Sequence, residues 1–498
     1  MKRTSMTTAI IAGIAGVAGI SSMANAIYLN PDGLGSVLVY PYYTVNGGNT
    51  TLISVVNTTN EGKAIKVRFL EAYNSREVLD FNLYLSPFDV WVAAVAESGS
   101  GAAVFTNDNS CTVPALPAAG QPFRTGAFDG SIASQPADGG PKTLARTREG
   151  YVELIEMGTV TNETSSTLSA ITHGSTGVPS SCPYVVKAWS GGGFWTKDAL
   201  TDISNPDGGL FGSGSIINVA EGTIAGYNAE AIDAFYLSAT TATHTQPGSL
   251  SPSIKSATNT TSNVFANGEL VTTTYADGIN AVSSLFMVDN VYNEFVTESE
   301  TNASTEWVIT FPTKRFYVDK PNLYAGTAAL KPFDVLFTSA NGGSSCSPVG
   351  LQFWNREELT TTTGIDFSPA PTAAGTALCW EAQVVTFNQG GASSTVLGSV
   401  LQANINTDAV GPDGWARIDF RNDSLGIVDP NHELPINAEV ANGSETTQTG
   451  NVFLGLPATG FAVTEYVNGA LNGVLANYTG LYRHKFHRTC QNTQGACS

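Results

Sequence analysis

KAIKVRFLEAYNSREVLDFNLYLSPFDVWVAAV, residues 63–95, is the stretch that decides the fold. Apolar side chains alternate with charged or polar ones over residues 65–69 and again over residues 79–85. A period of two is typical of antiparallel strands that bury one face and expose the other. The turn residues at 86–89 separate the second strand from a third. The stretch therefore predicts a meander whose polar side chains face water. On this basis Phe81→Asp should prevent folding, and Asn82→Asp should be nearly silent.

Strand patterns continue on both sides of this stretch. They predict strands at residues 36–43, 50–57, 150–157, 183–189, 306–318, 333–338, 351–354, 379–387, 415–420 and 460–467. One helix is predicted, capped by Asp277, with an apolar stripe that runs from Val282 to Phe295. The predicted class is mainly β, with antiparallel β-sandwich-like domains and a minor helical insert.

The domain organisation follows from composition along the chain. Residues 1–26 are predicted to be a signal peptide and residues 27–245 an N-terminal sandwich-like domain, with a long loop at 96–147 that is rich in Gly, Ala, Pro and Ser. Residues 246–300 are predicted to be a linker and the helix, and residues 301–498 a C-terminal sandwich-like domain. Pro-Phe-Asp-Val occurs at 87–90 and again at 332–335. This echo leaves open whether the two β units are a true repeat.

The N-terminus predicts export. Lys2 and Arg3 precede an apolar run at residues 9–20, and Ala24-Asn25-Ala26 has the small residues of a cleavage site. The run is too short to span a bilayer, so we expect cleavage after Ala26 and a product that is not an integral membrane protein. The predicted location is extracellular or at the cell surface, with the periplasm as the alternative.

Six cysteines would then enter an oxidising compartment. Their positions in the chain favour pairing between sequence neighbours, although fifteen pairings are formally open. The favoured disulfides are Cys111 with Cys182, Cys346 with Cys379, and Cys490 with Cys497.

Composition limits the classes of partner. The formal net charge is −19, and only 13% of residues are charged. So acidic a chain argues against nucleic acid as a partner. The positive charge that stands out is near the C-terminus, where Arg483, Lys485 and Arg488 lie close together. They are either a solvated strand end or an electrostatic contact with an acidic surface, such as another copy of the chain or another cell-surface component.

Calcium is the cofactor that best suits acidic loops in an exported protein. Asp202, Asp207, Asp408 and Asp413 lie in Gly- and Asn-rich turns and are candidate ligands. The sequence has no EF-hand loop, so these residues have the alternative role of turn formers. No cofactor is the expectation, with calcium as the alternative.

No motif in the sequence indicates an enzyme mechanism. It lacks the nucleophile elbow G-x-S-x-G, the phosphate-binding G-x-x-x-x-G-K-[ST] and the zinc-protease H-E-x-x-H. His432 and Glu433 begin the last pattern, but Pro435 interrupts it and the second histidine is missing. A glycosidase would need two carboxylates at a set distance in space, which the sequence does not reveal. This type of enzyme therefore stays open.

Two segments carry a resemblance to a known group. Residues 28–91, which begin Tyr-Leu-Asn-Pro-Asp-Gly, and residues 311–317, Phe-Pro-Thr-Lys-Arg-Phe-Tyr, resemble secreted proteins of Gram-negative bacteria whose function is unassigned. The resemblance is confined to these two segments and implies export without an activity or a site. The sequence thus predicts a non-catalytic structural or adhesive protein, able in principle to self-assemble. Its alternatives are a carbohydrate-active enzyme and a calcium-dependent ligand-binding module.

Overall fold

A computed structural model describes residues 26–160, 165–240, 243–319, 328–360, 376–390, 395–422, 426–437 and 450–497. Apart from Ala26, the predicted signal peptide lies outside these residues. The described part is mainly β, which confirms the predicted fold class.

The first thirteen strands form two antiparallel sheets. They are β1 Tyr28–Leu29, β2 Val37–Thr44, β3 Asn49–Asn57, β4 Gly62–Glu71, β5 Glu77–Leu85, β6 Val90–Ser98, β7 Gly101–Phe105, β8 Cys111–Val113, β9 Gln121–Pro122, β10 Glu149–Val160, β11 Leu210–Asn218, β12 Thr223–Asn228 and β13 Glu230–Asp233. The seven-stranded sheet has the order β1-β13-β2-β10-β4-β5-β8, and the six-stranded sheet the order β12-β11-β3-β6-β7-β9.

These two sheets pack face to face around one apolar cluster, which makes the first unit a β-sandwich. Phe81 of β5 and Trp91 of β6 meet across this core, with ring centroids 5.7 Å apart. The predicted meander is therefore only partly right. Strands β4 and β5 form a hairpin, but β6 crosses to the opposite sheet.

The remaining strands build a second layered unit. They are β14 Thr261–Ala266, β15 Glu269–Thr274, β16 Met287–Val288, β17 Asn290–Val296, β18 Ala303–Thr310, β19 Ser347–Pro348, β20 Gly350–Asn355, β21 Ala377–Leu378, β22 Ala382–Asn388, β23 Gln402–Asn406, β24 Asp413–Asp419, β25 Glu433–Leu434, β26 Val452–Leu454, β27 Leu456–Pro457, β28 Thr459–Leu471, β29 Val474–Arg483, β30 Lys485–His487, β31 Cys490–Asn492 and β32 Gly495–Ala496. The sheet β20-β24-β17-β30, called the four-stranded sheet below, packs on the five-stranded sheet β23-β22-β18-β28-β29. Three two-stranded sheets and the sheet β25-β26-β31-β32 complete the described part of this unit.

Short helices cover the sheets. The α-helices are α1 Gly126–Asp129, α2 Ser166–Ile171, α3 Cys182–Ala188, α4 Gly278–Phe286 and α5 Arg315–Val318, and 3-10 turns lie at Asn46–Gly48, Leu144–Arg148, Ile254–Ser256, Ser299–Thr301 and Ser339–Asn341. Helix α4 is fully buried, and its side chains join a cluster with the outer face of the seven-stranded sheet. Helices α2 and α3 cover the same face nearer to Tyr84.

Because both faces of the seven-stranded sheet are covered, the face that was predicted to contact solvent is buried. Lys66 and Arg68 of β4 lie on this face and are buried, and each is held by a carboxylate. Asp80 pairs with Lys66 at 3.0 Å, and Glu153 with Arg68 at 2.6 Å. The prediction of half-buried strands was wrong here, since later segments of the chain supply a second cover.

The two sequence segments do not have separate cores. Val308 and Phe461 of the five-stranded sheet join the core of the first sandwich, where Phe461 stacks on Tyr227 at 5.1 Å. Arg76 reaches Asp319 at 2.9 Å, with both side chains buried. Within the described residues, the proposed boundary at residues 245 and 246 therefore crosses shared packing.

Several local predictions were wrong for identifiable reasons. Residues 183–188 belong to helix α3, which begins at Cys182, because Pro183 sits in its first turn, where a missing N–H costs nothing. The predicted helix ends at Phe286, and the next segment becomes β17 because it pairs with strands on both sides. Residues 333–338 form no strand, and the predicted strand at 306–318 ends at Thr310 before helix α5. The predicted loop at 96–147 carries β7, β8, β9 and α1.

The three predicted disulfides are confirmed: Cys111–Cys182, Cys346–Cys379 and Cys490–Cys497. The repeated Pro-Phe-Asp-Val occupies two different environments. Phe88 is 69% exposed in a turn, whereas Phe333 is buried in the core. This contrast favours similar turn chemistry over a duplicated domain.

Candidate functional site

An open cleft of about 780 Å³ lies between the four-stranded sheet and the β28–β29 hairpin. We call it the aromatic cleft, because Tyr292, Trp415, Tyr466, Tyr478 and Tyr482 line it. Its volume lies in the range of sites that hold small ligands.

The first wall is the outer face of the four-stranded sheet. Strand β17 turns Val291 and Phe295 into the core, so that Tyr292 and Glu294 face outward. Trp415 lies opposite Glu294 on β24, and its ring is 6.4 Å from that of Tyr292. On its far side Trp415 stacks on Trp354 of β20, with centroids 4.2 Å apart and planes inclined by 15°. This stack holds the Trp415 ring in place, while 40% of its surface stays exposed.

The second wall is the β28–β29 hairpin. Tyr466 lies directly opposite Tyr478, and Tyr482 lies opposite Ala462 on the same face. Tyr478 is 63% exposed and Tyr482 is 60% exposed. Aromatic side chains from two different sheets thus border one cleft and present exposed ring surface to it.

The polar groups of the cleft are held by their neighbours. Arg417 donates to Gln352 on the adjacent strand and lies beside Tyr292. Partial burial raises the pKa of the Tyr292 hydroxyl, so it remains a neutral donor and acceptor at physiological pH. Below the cleft, His484 contacts Asn293 at 2.6 Å and the carbonyl oxygen of Val308 at 2.8 Å.

The basic C-terminal residues divide between internal and surface roles. Arg483 pairs with Glu230 at 2.7 Å. Arg488 donates to the carbonyl oxygens of Leu285 and Met287, and burial lowers the pKa of its guanidinium to about 10. Lys485 is exposed and lines the aromatic cleft together with Arg483. The predicted electrostatic contact therefore has Lys485 as its most available cation, and it stays a prediction.

The structure does not bring the four candidate calcium ligands together. Asp207 pairs with buried Lys63, and Asp413 pairs with Arg356 at 3.2 Å. Asp202 accepts a hydrogen bond from the Thr167 hydroxyl at 2.7 Å, and Asp408 accepts one from the Gly390 amide at 2.6 Å. Their contacts are those of turn formers and ion-pair partners.

Asp334, Asp429 and His432 form a group that the sequence did not predict. Their ligand atoms all lie within 4.8 Å of one another. His432 was visible as part of an incomplete motif, but its carboxylate partners come from a distant loop and from the preceding turn. The aromatic cleft was equally hidden, although exposed tyrosines four residues apart on one strand, Tyr478 and Tyr482, are a sequence signal for a displayed face.

Within the described residues, no helix has both the length and the apolar character needed to cross a membrane. Comparisons with protein-family models, with curated proteins and with solved structures return no match for this chain.

Proposed function

We propose that this chain is an exported, non-catalytic adhesive protein that binds a glycan at the cell surface through the aromatic cleft. The observation that carries the proposal is the pair of aromatic walls, Tyr292 and Trp415 on one sheet and Tyr466, Tyr478 and Tyr482 on the other.

Ring chemistry favours a glycan as the occupant. The C–H faces of a pyranose ring pack on the flat face of an aromatic ring, and tyrosine hydroxyls hydrogen-bond the sugar hydroxyls at its rim. Because the cleft is open at the surface, it suits a chain that continues beyond the site.

The carboxylate content of the aromatic cleft favours binding of a glycan over its hydrolysis. A glycosidase needs two carboxyl groups on either side of the scissile bond. Glu294 is the only carboxylate among the described residues that line the aromatic cleft. A carbohydrate-active enzyme remains the alternative, and it predicts release of reducing sugar.

Binding is tested by pull-down of the purified chain on insoluble chitin, cellulose and peptidoglycan, with lipopolysaccharide vesicles as a fourth probe. We expect retention on at least one polysaccharide, and at least tenfold weaker retention for Trp415→Ala and for a Tyr478→Ala/Tyr482→Ala double variant. Phe265→Ala is the matched control, because Phe265 is 62% exposed on a different face.

Equal retention of all variants, or no retention on any probe, would contradict the proposal. Loss of retention in 0.5 M salt with no effect of the tyrosine variants would instead assign binding to Lys485 and its basic neighbours. Reducing sugar released from a retained polysaccharide would favour the enzyme alternative.

Export is supported by the three disulfides, which are typical of oxidising compartments. We expect the natural protein outside the cytoplasm, with Ile27 as its first residue and no titratable thiol. Fractionation, N-terminal sequencing and thiol titration after denaturation measure these three properties. A cytoplasmic product with free thiols would contradict this part of the proposal.

A further inference from the structure

We propose that Asp334, Asp429 and His432 bind one divalent transition ion, for which Zn²⁺ is the best fit. The group lies where two loops meet and shares no residue with the lining of the aromatic cleft, so the proposal is independent of glycan binding.

The tautomer of His432 is set by the backbone. Its Nδ1 is 2.6 Å from the carbonyl oxygen of Phe420, which can only accept, so Nδ1 carries a hydrogen. In the neutral ring the lone pair is then on Nε2, the atom that a metal takes. A ligating histidine is commonly oriented by such a bond from its other nitrogen.

The free nitrogen is buried and aimed at two carboxylates. His432 is 1% exposed, and its Nε2 lies 3.1 Å from Asp334 Oδ2 and 3.7 Å from Asp429 Oδ2. The 3.1 Å approach is not directed as a hydrogen bond, and both carboxylate oxygens of Asp334 are likewise buried without a well-directed partner. Burying polar atoms in this state costs free energy unless a hydrogen bond, a water molecule or an ion satisfies them, and an ion between the three side chains would satisfy all of them at once.

The surrounding contacts hold the three ligands before any ion arrives. Asp429 Oδ1 accepts from the Asn431 amide at 2.9 Å, which leaves Oδ2 to face the site. Lys331 links the two loops by donating to Glu433 at 2.7 Å and to the Pro430 carbonyl at 3.2 Å.

The ligand set selects the class of ion. One imidazole nitrogen with two carboxylates suits Zn²⁺, which binds nitrogen and oxygen at about 2.0–2.2 Å. Calcium takes six to eight oxygen ligands and is a poor match. The side chain of Asp429 is 17% exposed, so water has access to a fourth coordination position from its side of the group.

The test is calorimetric titration of ZnCl₂ into the EDTA-treated, dialysed full chain at pH 7.5. We expect one ion per chain and a melting temperature that rises with added Zn²⁺. His432→Gln and Asp334→Asn should each weaken binding at least tenfold. Co²⁺ should give visible d–d absorption bands that both variants lose.

His487→Gln is the matched control, because His487 also lies 3.0 Å from a carboxylate, that of Asp289, but pairs with no second acid among the described residues. It should bind as the unaltered chain does. If His432→Gln fails to fold, Asp429→Asn at the partly exposed position decides the question. No Zn²⁺ bound, preference for Ca²⁺, or equal Zn²⁺ affinity in all variants would overturn the proposal.

Discussion

His484 is a neutral histidine enclosed between the two sheets of the second unit. Burial lowers the pKa of its ring to about 4, from a usual value of 6.5. Nε2 faces a carbonyl oxygen and so carries the hydrogen, while Nδ1 accepts from Asn293. If Nδ1 were protonated, its N–H would face the side-chain amide N–H of Asn293, and two hydrogen-bond donors would oppose each other.

The sign of the resulting pH dependence follows from linkage. Between pH 6.5 and 4 the unfolded chain binds a proton at His484 and the folded chain does not, so stability is lost as pH falls through this window. Relative to His484→Gln, the unfolding free energy should fall by up to roughly 3 kcal/mol. Urea denaturation of both proteins at several pH values measures this, and parallel curves would contradict it.

Asn82 is a residue whose environment reverses the expectation from sequence. It is fully buried, and its amide nitrogen donates to the carbonyl oxygen of Thr245 at 2.8 Å. In Asn82→Asp a carboxylate oxygen would face that carbonyl oxygen without a hydrogen between them. We expect a loss of about 1–3 kcal/mol of unfolding free energy. Thermal denaturation decides between this value and the silent change predicted from alternation alone.

At the scale of elements, strand β28 depends on a glycine at its start. Gly460 has a φ of +147°, and a Cβ there would lie 1.9 Å from the carbonyl oxygen of Val308. That oxygen belongs to β18, so the clash is with the backbone of the paired strand. Gly460→Ala should therefore separate β28 from β18 at its first residues.

The expected cost of Gly460→Ala is more than about 2 kcal/mol of unfolding free energy. Glycan retention should also weaken, because β28 carries Tyr466. Gly469→Ala is the control in the same strand, since its Cβ would meet no atom within 4 Å. Its positive φ of +66° alone should cost about 1 kcal/mol. Equal melting temperatures for the two variants would refute the steric argument.

Sequence periodicity predicted the strands with clear alternation, but it did not predict what covers them. Residues 65–69 and 79–85 were placed correctly, since alternation reports which side chains share a face. The burial of Lys66 and Arg68 depends on segments from residue 246 onward, and pairing at that separation leaves no local pattern. Val291 and Phe295 fit a helical stripe and a strand equally well, and only their partners β24 and β30 decide.

The candidate sites were beyond prediction for the same reason. The walls of the aromatic cleft come from strands far apart in the chain, and no spacing connects Tyr292 with Trp415 or Tyr482. Asp334 reaches His432 through a loop contact that composition does not indicate. The disulfides were predicted correctly because each partner is the next cysteine along the chain.

At the scale of the whole molecule, shared packing predicts one cooperative transition. Thr310 donates to the Pro41 carbonyl at 2.6 Å, and Ser399 donates to Glu149 at 2.6 Å, so buried contacts cross between the segments in several places. Calorimetry should show a single unfolding peak, and residues 27–245 expressed alone should lack a sharp transition. Two resolved peaks, or a stable fragment, would show independent domains instead.

The link from Arg76 to Asp319 has a consequence for when the chain can fold. Contacts of such long sequence separation close large loops, and loop closure of this kind makes folding slow. Arg76 cannot form its buried ion pair with Asp319 until more than 300 residues have been synthesised. Under the export proposed above, a chain with this contact order would stay unfolded during its passage and would collapse only afterwards.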